Sequence, residues 1–178
     1  MEKIVDWYKS WGFCGWLRFR TLWFAHRFIR NSGLAEQWDF VLKYIPINNK
    51  KFGLDVGTSG SLFIHELNHR CWAYGIDLKP YQEKIKDFEQ ADILTFTLKR
   101  WDYITMISVL QFLGKKDRQA IKNIHRLLKP NGLFLLTVPQ DKYNYLELKK
   151  LTSRYFEVLE YQPCRGHLGM TFIKKEIK

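Results

Sequence analysis

From residue 52 onward, short apolar runs alternate with longer segments in which apolar residues recur every three or four positions. The runs predict strands and the amphipathic segments predict helices. We expect strands at 52–56, 71–76, 87–91, 103–109 and 133–138, helices at 59–70, 116–128 and 145–155, a turn at 130–132, and a closing antiparallel hairpin at 156–161 and 170–174. Strands that alternate with helices are typical of an α/β fold with a parallel sheet.

The first 50 residues follow a different pattern. Nine aromatic residues lie between Trp7 and Phe28, interleaved with basic residues, and their spacing predicts a helix. A turn is expected at 31–33, followed by a second helix over 34–44 that ends before Pro46. Two helical segments are therefore expected before the main fold.

Composition narrows the class of protein. A chain of 178 residues with 46% hydrophobic content is about the size of one domain with a real core. Its 29 Lys and Arg residues against 18 acidic residues give a net charge of +11, which suits a phosphate-bearing or anionic-membrane partner without identifying one. No apolar run approaches the ~18 residues of a membrane span, and no signal-peptide pattern is present.

The cysteines say little about chemistry but something about location. Cys14, Cys71 and Cys164 are far apart and odd in number, so they predict neither a disulfide framework nor a zinc site. We expect a reducing, cytoplasmic setting and a soluble or membrane-peripheral protein.

The segment LDVGTSGSLF, residues 54–63, follows the first predicted strand. In an open α/β sheet, ligands bind beyond the carboxyl ends of the strands. Gly57 and Gly60 would let the backbone approach a ligand closely, and Thr58 or Ser59 could cap the next helix. The same small residues could equally form only a tight strand-to-helix turn.

Acidic residues follow the next two strands. Asp77 comes 22 residues after Asp55, where a carboxylate can accept both hydroxyls of an adenosine ribose. Asp92 follows the third strand, where it could accept the adenine amino group. Three acids at successive strand ends on one edge of a sheet favour a nucleoside-containing cofactor over a bare turn.

From residue 52 to the C-terminus the sequence resembles the class I S-adenosylmethionine-dependent methyltransferases. The matching motifs are LDVGTSG at 54–60, GID at 75–77, AD at 91–92, DYITMISVLQFLG at 102–114 and RLLKPNGLFLLTVP at 126–139. The resemblance implies a Rossmann-like, doubly wound, mostly parallel seven-stranded sheet with a C-terminal antiparallel hairpin and N-terminal helices. It also implies S-adenosyl-L-methionine as cofactor and S-adenosyl-L-homocysteine as product.

The resemblance assigns roles to particular positions. The cofactor residues it implies are Asp55, Gly57, Thr58, Ser59 and Gly60 for the methionine end, Asp77 and Leu78 for the ribose region, Asp92 and Ile93 for the adenine, and Ser108 and Val109 beside the cofactor. Ser59 and Ser61 stand where the family usually has glycines. A nicotinamide-binding fingerprint fits less well, because it would need glycines at positions 59 and 62, which are Ser59 and Leu62.

A hydroxyl acceptor would also require a base. We name His167, in the closing hairpin, as the candidate, with His26 as a weaker one. For His65, His69 and His125 a structural or solvent-exposed role is the default. Tyr81 and Gln111 are candidates for the pocket wall.

The expected acceptor is a small molecule or a sugar-like compound. No Asn-Pro-Pro-Tyr type tetrapeptide follows the fourth strand, and by resemblance this argues against methylation of nucleobase or glutamine amino groups. The resemblance also implies that residues 1–50 form a helical lid and residues 51–178 the cofactor-binding domain. The aromatic, basic lid could instead contact anionic membrane or, less favoured, nucleic acid.

Two other functions stay open at this stage. The chain could be a non-catalytic binding module or enzyme subunit that keeps the fold, or an RNA-directed methyltransferase. No metal is expected, and the sequence leaves the oligomeric state open.

Overall fold

A computed structural model describes residues 34–58, 62–80, 87–98 and 101–176. The region Gln37–Lys178 forms one compact unit. In chain order the elements are α1 (Leu34–Leu42), β1 (Phe52–Val56), α2 (Leu62–Asn68), β2 (Trp72–Asp77), β3 (Phe88–Gln90), β4 (Trp101–Ile107), α3 (Asp117–Leu127), β5 (Leu128–Pro139), α4 (Tyr145–Thr152), β6 (Phe156–Cys164) and β7 (His167–Lys174). Two short 3₁₀ turns, Leu110–Phe112 and Gly114–Lys116, lie between β4 and α3.

The strands form one seven-stranded sheet in the order β3-β2-β1-β4-β5-β7-β6. The pairs from β3 to β5 are parallel, whereas β7 runs antiparallel to both β5 and β6. The chain therefore winds outward from β1 in both directions, which confirms the predicted doubly wound sheet with its antiparallel C-terminal hairpin. The helix expected before residue 31 lies outside the described residues.

Several strand boundaries differ from the sequence prediction, among them the ends of the hairpin strands, which reach Cys164 and His167, and two differences have a visible cause. β4 ends at Ile107 rather than 109, because Ser108 turns to a φ of +54°. β5 begins at Leu128, five residues earlier than expected, because Leu128 already pairs with Trp101. The predicted turn at 130–132 lies inside β5, where the register of its pairing with β4 shifts between Trp101 and Tyr103. Asn131 has a φ of +58° there.

Successive side chains of each strand point to opposite faces of the sheet, so the hydrophobic core lies on both faces. One face packs Leu54, Met106 and Phe134 against the buried side of α3 and against Leu148 of α4. The other face packs against α1 and α2. Phe40 of α1 lies so close to Gly169 of β7 that a Cβ there would meet its ring at 2.6 Å. That glycine lets α1 approach the sheet.

An ion cluster joins three strands at the edge where they begin. Asp102 of β4 accepts hydrogen bonds from Lys51 at 2.9 Å, from Lys129 at 2.8 Å and from the backbone N–H of Phe52 at 3.0 Å. Partial burial opposes the charge on this carboxylate, but the hydrogen bonds from Lys129, Lys51 and Phe52 outweigh it and hold its pKa below the usual value. The starts of β1, β4 and β5 are thereby tied together.

Within the described part of the chain, no helix is long and apolar enough to cross a bilayer. Cys71 and Cys164 are both buried. Burial raises the pKa of the Cys71 thiol to about 12, so it packs as an uncharged apolar group.

Candidate functional site

The candidate site lies at the edge of the sheet where the parallel strands end, called here the carboxyl edge. β1, β2, β3 and β4 end there at Val56, Asp77, Gln90 and Ile107. The order of the strands reverses between β1 and β4, and such a reversal opens the crevice in which α/β proteins bind ligands. The sequence motifs after β1, β2, β3 and β4 therefore converge on one place.

Gly57 and Val109 are in direct contact across this crevice. Gly57 follows β1 with a φ of +76°, a conformation that side chains rarely adopt, and a Cβ there would collide with the side chain of Val109. Both residues are predicted cofactor ligands, and the structure brings them together. The backbone of the loop after β1 must lie bare against the loop after β4.

Thr58 fixes the same loop onto β2. Its hydroxyl donates to the carbonyl of Asp55 at 3.1 Å, while the N–H of Gly57 donates to the carbonyl of Ile76 at 2.8 Å. A Cβ on Gly75 would lie 2.6 Å from the Thr58 hydroxyl, so the glycine of the GID motif makes room for Thr58. The two motifs depend on each other sterically, which the sequence alone did not indicate.

Asp55 lies beneath the loop and is only 3% exposed. Its Oδ1 accepts a hydrogen bond of 2.6 Å from the hydroxyl of Thr105 on β4. Burial raises its pKa to about 6, against the lowering effect of the Thr105 and Thr58 hydroxyls. Among the described residues Asp55 forms no salt bridge, so its charge lacks a cation.

Asp77 and Leu78 lie at the end of β2, the neighbouring strand. Asp77 is partly exposed, and its Oδ1 accepts from the N–H of Lys79 at 3.0 Å, which holds the carboxylate in a tight turn. Leu78 is 61% exposed, unusual for an apolar residue. A polar carboxylate beside an open apolar side chain suits a ligand that has both a sugar and a flat ring.

Asp92 and Ile93 follow β3. The Oδ1 of Asp92 accepts from the N–H of Leu94 at 2.9 Å, so this carboxylate starts a turn. Ile93 is only 4% exposed and its side chain belongs to the core. Its carbonyl accepts a short hydrogen bond from the buried amide of Asn123. Asn123 therefore ties α3 to the loop that carries both predicted adenine ligands.

Ser108 is held by a buried glutamine that the sequence analysis missed. Gln37 of α1 is 1% exposed, and its Oε1 accepts from the hydroxyls of Ser108 at 2.9 Å and Thr137 at 2.7 Å. The signal was available, since Gln37 stands three and four positions before Phe40 and Val41 on the apolar side of a helix. Thr105 was missed as well, because a threonine inside a strand is not unusual.

Two polar atoms at this edge are buried without a hydrogen-bond partner in the described structure. They are Oε1 of Gln111 and Nδ1 of His167. Gln111 uses its Nε2 to donate to the carbonyl of Ser108 at 2.7 Å, which fixes its amide. His167 begins β7 opposite Pro139, and because β7 is antiparallel it starts at the carboxyl edge.

Several predicted residues lie elsewhere or outside the described residues. Ser59, Gly60, Tyr81 and His26 are outside the described ranges. His65 and His69 are exposed on and just after α2. His125 bonds the carbonyl of Lys175 through Nε2 at 2.8 Å and packs on Tyr155, which is a structural arrangement.

The described residues fit S-adenosylmethionine on three counts. A buried carboxylate without a cation, Asp55, suits a ligand ammonium group. Gly57 has no side chain and a φ of +76°, so the backbone of the loop after β1 is bare at this point, as a closely approaching ligand requires. Asp77 ends the strand next to β1, within reach of a ribose bound over that loop. In the described part of the chain no three His, Cys, Asp or Glu side chains group as a metal site.

Part of the chain is similar to a known family of proteins. Residues 54–134 match the family of proteins described as a methyltransferase domain. That range contains the motifs after β1, β2, β3 and β4 and ends within β5. No curated protein sequence matches the chain significantly.

Solved structures share the fold. The N-methyltransferase NodS from Bradyrhizobium japonicum, solved with S-adenosylhomocysteine, has a TM-score of 0.68 at 19% identity, covering 83% of this chain and 87% of its own. The Burkholderia thailandensis 1,6-didemethyltoxoflavin-N1-methyltransferase, with its substrate and S-adenosylhomocysteine bound, has a TM-score of 0.69 at 17% identity, covering 89% and 86%. Both of these structures were solved with S-adenosylhomocysteine bound.

A third structure carries a different chemistry on the same fold. The [4+2]-cyclase SpnF has a TM-score of 0.67 at 15% identity, covering 77% of this chain and 79% of its own. At these identities the likeness establishes the fold, and any activity must be argued from the site.

Proposed function

We propose that the chain is a class I, Rossmann-like methyltransferase that transfers the methyl group of S-adenosylmethionine to a small-molecule or sugar-like acceptor. The observation that carries this proposal is the convergence of Asp55, Asp77 and Asp92 on one crevice, at the ends of three adjacent strands. When bound, the cofactor supplies an activated methyl group on a sulfonium centre. The protein's task is then to bind and to align.

The loop after β1 holds the methionine end in this proposal. Gly57 and Thr58 present bare backbone to the ligand, since the Thr58 side chain is turned down toward β2. Asp55 lies directly below and supplies negative charge for the ammonium group. A buried ion pair stabilises a complex only when its charged groups are also hydrogen-bonded. Thr105 already donates such a hydrogen bond to the Asp55 carboxylate.

The ribose and adenine are assigned to the next two strand ends. Asp77 has one carboxylate oxygen engaged by the N–H of Lys79, which orients the group toward a ribose. Leu78 offers its exposed side chain to the adenine ring, and Asp92 accepts from the adenine amino group. The side chain of Ile93 is buried in the core, so it supports the turn that begins at Asp92 and does not face the ligand.

The acceptor is assigned to the space beyond β4 and β5. His167 and Gln111 carry polar atoms there with no partner among the described residues, Nδ1 and Oε1. An unpaired polar atom in a protein interior costs about 1–3 kcal/mol, so a ligand that pairs with it gains affinity. We assign His167 as the base for an acceptor hydroxyl and Gln111 as the group that orients it.

The region before β1 is proposed to lid this space. Its described part contributes Gln37, whose amide bonds Ser108 and Thr137 next to the crevice. We keep residues 1–50 as a lid segment and residues 51–178 as the cofactor-binding domain. The site residues outside the described ranges, Ser59 and Gly60, remain predicted ligands of the methionine end.

Calorimetry with S-adenosylmethionine and S-adenosylhomocysteine tests the proposal directly. We expect both to bind in a single site, because the groups assigned to binding do not contact the transferred methyl. If neither binds at millimolar concentration, the proposed function is wrong. With an acceptor found by screening for transfer of labelled methyl, His167→Gln should lower kcat with little change in KM.

A second function has one observation in its favour. SpnF shows that this fold can serve a cyclase, and Ser59 and Ser61 depart from the usual glycines of the methionine loop. A chain that bound S-adenosylhomocysteine but transferred no methyl group to any acceptor tested would support a non-catalytic or repurposed module.

A further inference from the structure

A concave surface on the far side of the molecule is lined by cationic side chains. It encloses about 660 Å³ between α3, the turn after α4 and the end of β7. Lys122, Arg126, Arg154 and Lys174 line it together with His125 and Tyr155, and no carboxylate of the described residues does. We call this surface the basic groove.

The Lys174 end of the basic groove is separate from the carboxyl edge, whereas Leu94, which also lines the groove, belongs to the loop after β3. Lys174 is the last residue of β7 and His167 is the first, so the two are seven positions apart along the strand. At about 3.3 Å per residue they are roughly 23 Å apart. A ligand held at the Lys174 end of the basic groove is therefore not the cofactor bound at the strand ends.

The two cations that α3 contributes to the basic groove do not stabilise the helix. Lys122 and Arg126 are exposed and lie one turn apart on α3, where like charges repel and destabilise a helix by a few tenths of a kcal/mol. Neither of them, nor Arg154, makes a salt bridge within the described ranges. Three segments distant in sequence nonetheless bring these cations together, which indicates an anionic partner.

Parts of the basic groove are already held in place. Lys174 donates from its ammonium group to the carbonyl of Leu128, and the guanidinium of Arg154 lies 5.7 Å from the ring centroid of Tyr155. Tyr155 is in turn packed against His125, at 5.4 Å between ring centroids. An aromatic ring set among cations is the arrangement that binds a base and its neighbouring phosphates.

We propose that the basic groove binds single-stranded nucleic acid through phosphates at Lys122, Arg126, Arg154 and Lys174, with Tyr155 against a base. A strand follows a concave surface, whereas a bilayer meets a flat or convex one. Membrane binding also needs apolar groups to insert. Among the described residues, the exposed large apolar side chains, such as Ile47 and Phe112 at 81%, all lie outside the basic groove.

The test measures binding of the full chain to a labelled single-stranded oligonucleotide of about 12 nucleotides, a length within the range such sites cover. The groove variant is Lys122→Ala/Arg126→Ala. Its control is Lys43→Ala/Lys50→Ala, which removes the same charge from exposed positions outside the basic groove.

We expect the wild type to bind at about 50 mM salt and the groove variant to bind about tenfold more weakly, with a salt slope smaller by roughly 1.4, or about 0.7 for each phosphate contact. The control should bind like the wild type. Equal weakening in both variants, or no binding by the wild type, overturns the proposal.

Two further measurements keep the outcome unambiguous. Vesicles containing phosphatidylserine should not distinguish the two variants, and loss of vesicle binding in the groove variant with unchanged oligonucleotide binding would also overturn the proposal. Both variants should keep the wild-type affinity for S-adenosylhomocysteine, which shows that they fold. Failure of nucleic-acid binding would leave the proposed methyl transfer unaffected.

Discussion

Gln37 and Ser108 are joined by a hydrogen bond of 2.9 Å although 71 residues separate them in sequence. The glutamine oxygen also accepts from Thr137, so one buried amide connects α1 with the ends of β4 and β5. Ser108 has a φ of +54°, which a serine adopts only when its surroundings hold it there. Gln37 is therefore a positioning residue for the loop after β4.

Replacing Gln37 by leucine should loosen this loop. Gln37→Leu leaves two hydroxyls without an acceptor, at a cost of about 1–3 kcal/mol in the free energy of unfolding. Because Val109 follows Ser108 and contacts Gly57, we also expect weaker binding of S-adenosylhomocysteine. Chemical denaturation and calorimetry measure the two effects.

Gln162→Leu, at an exposed position of β6, is the control and should change stability by less than about 0.5 kcal/mol. If Gln37→Leu lowered stability but left the affinity at the wild-type value, the amide would support the fold without positioning the site.

The contact between Gly57 and Val109 predicts a steric effect. Gly57→Ala must accommodate both a φ of +76° and a clash with Val109. Gly114→Ala provides a matched control, since Gly114 has a φ of +54° with open space around its Cβ position. We expect the control to lose about 1 kcal/mol from backbone strain alone.

The Gly57→Ala variant should lose at least about 1 kcal/mol more, because of the clash, and should bind S-adenosylmethionine at least tenfold more weakly. Thermal unfolding and calorimetry provide both values. Similar behaviour of the two alanine variants would mean that Val109 yields easily and that the loop tolerates a side chain.

Asp55 predicts a pH dependence of stability. Burial raises its pKa to about 6 in the folded protein, from an ordinary value of 3.8. The folded state thus holds this proton more tightly, which favours folding below a pH of about 4, and that contribution is lost as the pH rises to about 6. Between these pH values the contribution of Asp55 to the free energy of unfolding falls by about 3 kcal/mol.

Asp55→Asn keeps an oxygen for Thr105 but cannot ionise. The wild type should therefore lose stability relative to this variant between pH values of about 4 and 6 in urea unfolding. A constant difference across that range would contradict the assigned burial.

The same carboxylate predicts how cofactor affinity depends on pH. If the methionine ammonium group pairs with Asp55, binding favours the ionised carboxylate and should tighten as the pH rises through about 6. Calorimetry of the wild type should show this change, and Asp55→Asn should show a weak affinity with little pH dependence. An affinity that is independent of pH in the wild type would place the ammonium group elsewhere.

Asp77 is predicted to hold the ribose hydroxyls. Asp77→Ala removes a charged hydrogen-bond acceptor, worth about 1.5–3 kcal/mol, so the affinity for S-adenosylhomocysteine should fall about tenfold or more. Glu176→Ala, at an exposed C-terminal position, should leave it unchanged. Equal affinities in the two variants would mean that the ribose lies elsewhere.

Much of this fold could be predicted from periodicity. β1 has the predicted bounds, and each later strand and helix occurs within a few residues of its predicted place because apolar runs and amphipathic segments differ in period. The misplaced ends have tertiary causes. β4 stops at Ile107 because Ser108 is bonded to Gln37, and β5 starts early because Leu128 pairs with Trp101 across an irregularity.

The candidate site was predictable where short motifs follow strands, and less so where contacts span the sheet. Asp55, Asp77 and Asp92 could be placed on one edge from strand order alone. The contacts of Gln37 with Thr137 and of Thr58 with Gly75 join distant segments, so no local pattern encodes them. One local indication of the role of Gln37 was present in the sequence, because it is a polar residue on the apolar face of a helix.

The cluster around Asp102 has a consequence for motion. It ties β1, β4 and β5 where they begin, whereas the salt bridges among the described residues join none of the opposite ends of these strands to one another. Local opening should therefore begin at the carboxyl edge and become rarer toward the starts of β1, β4 and β5. Amide deuterium uptake along β4 should accordingly slow from Ile107 back to Asp102. The sheet would then open at its carboxyl edge while the strands stay paired near Asp102.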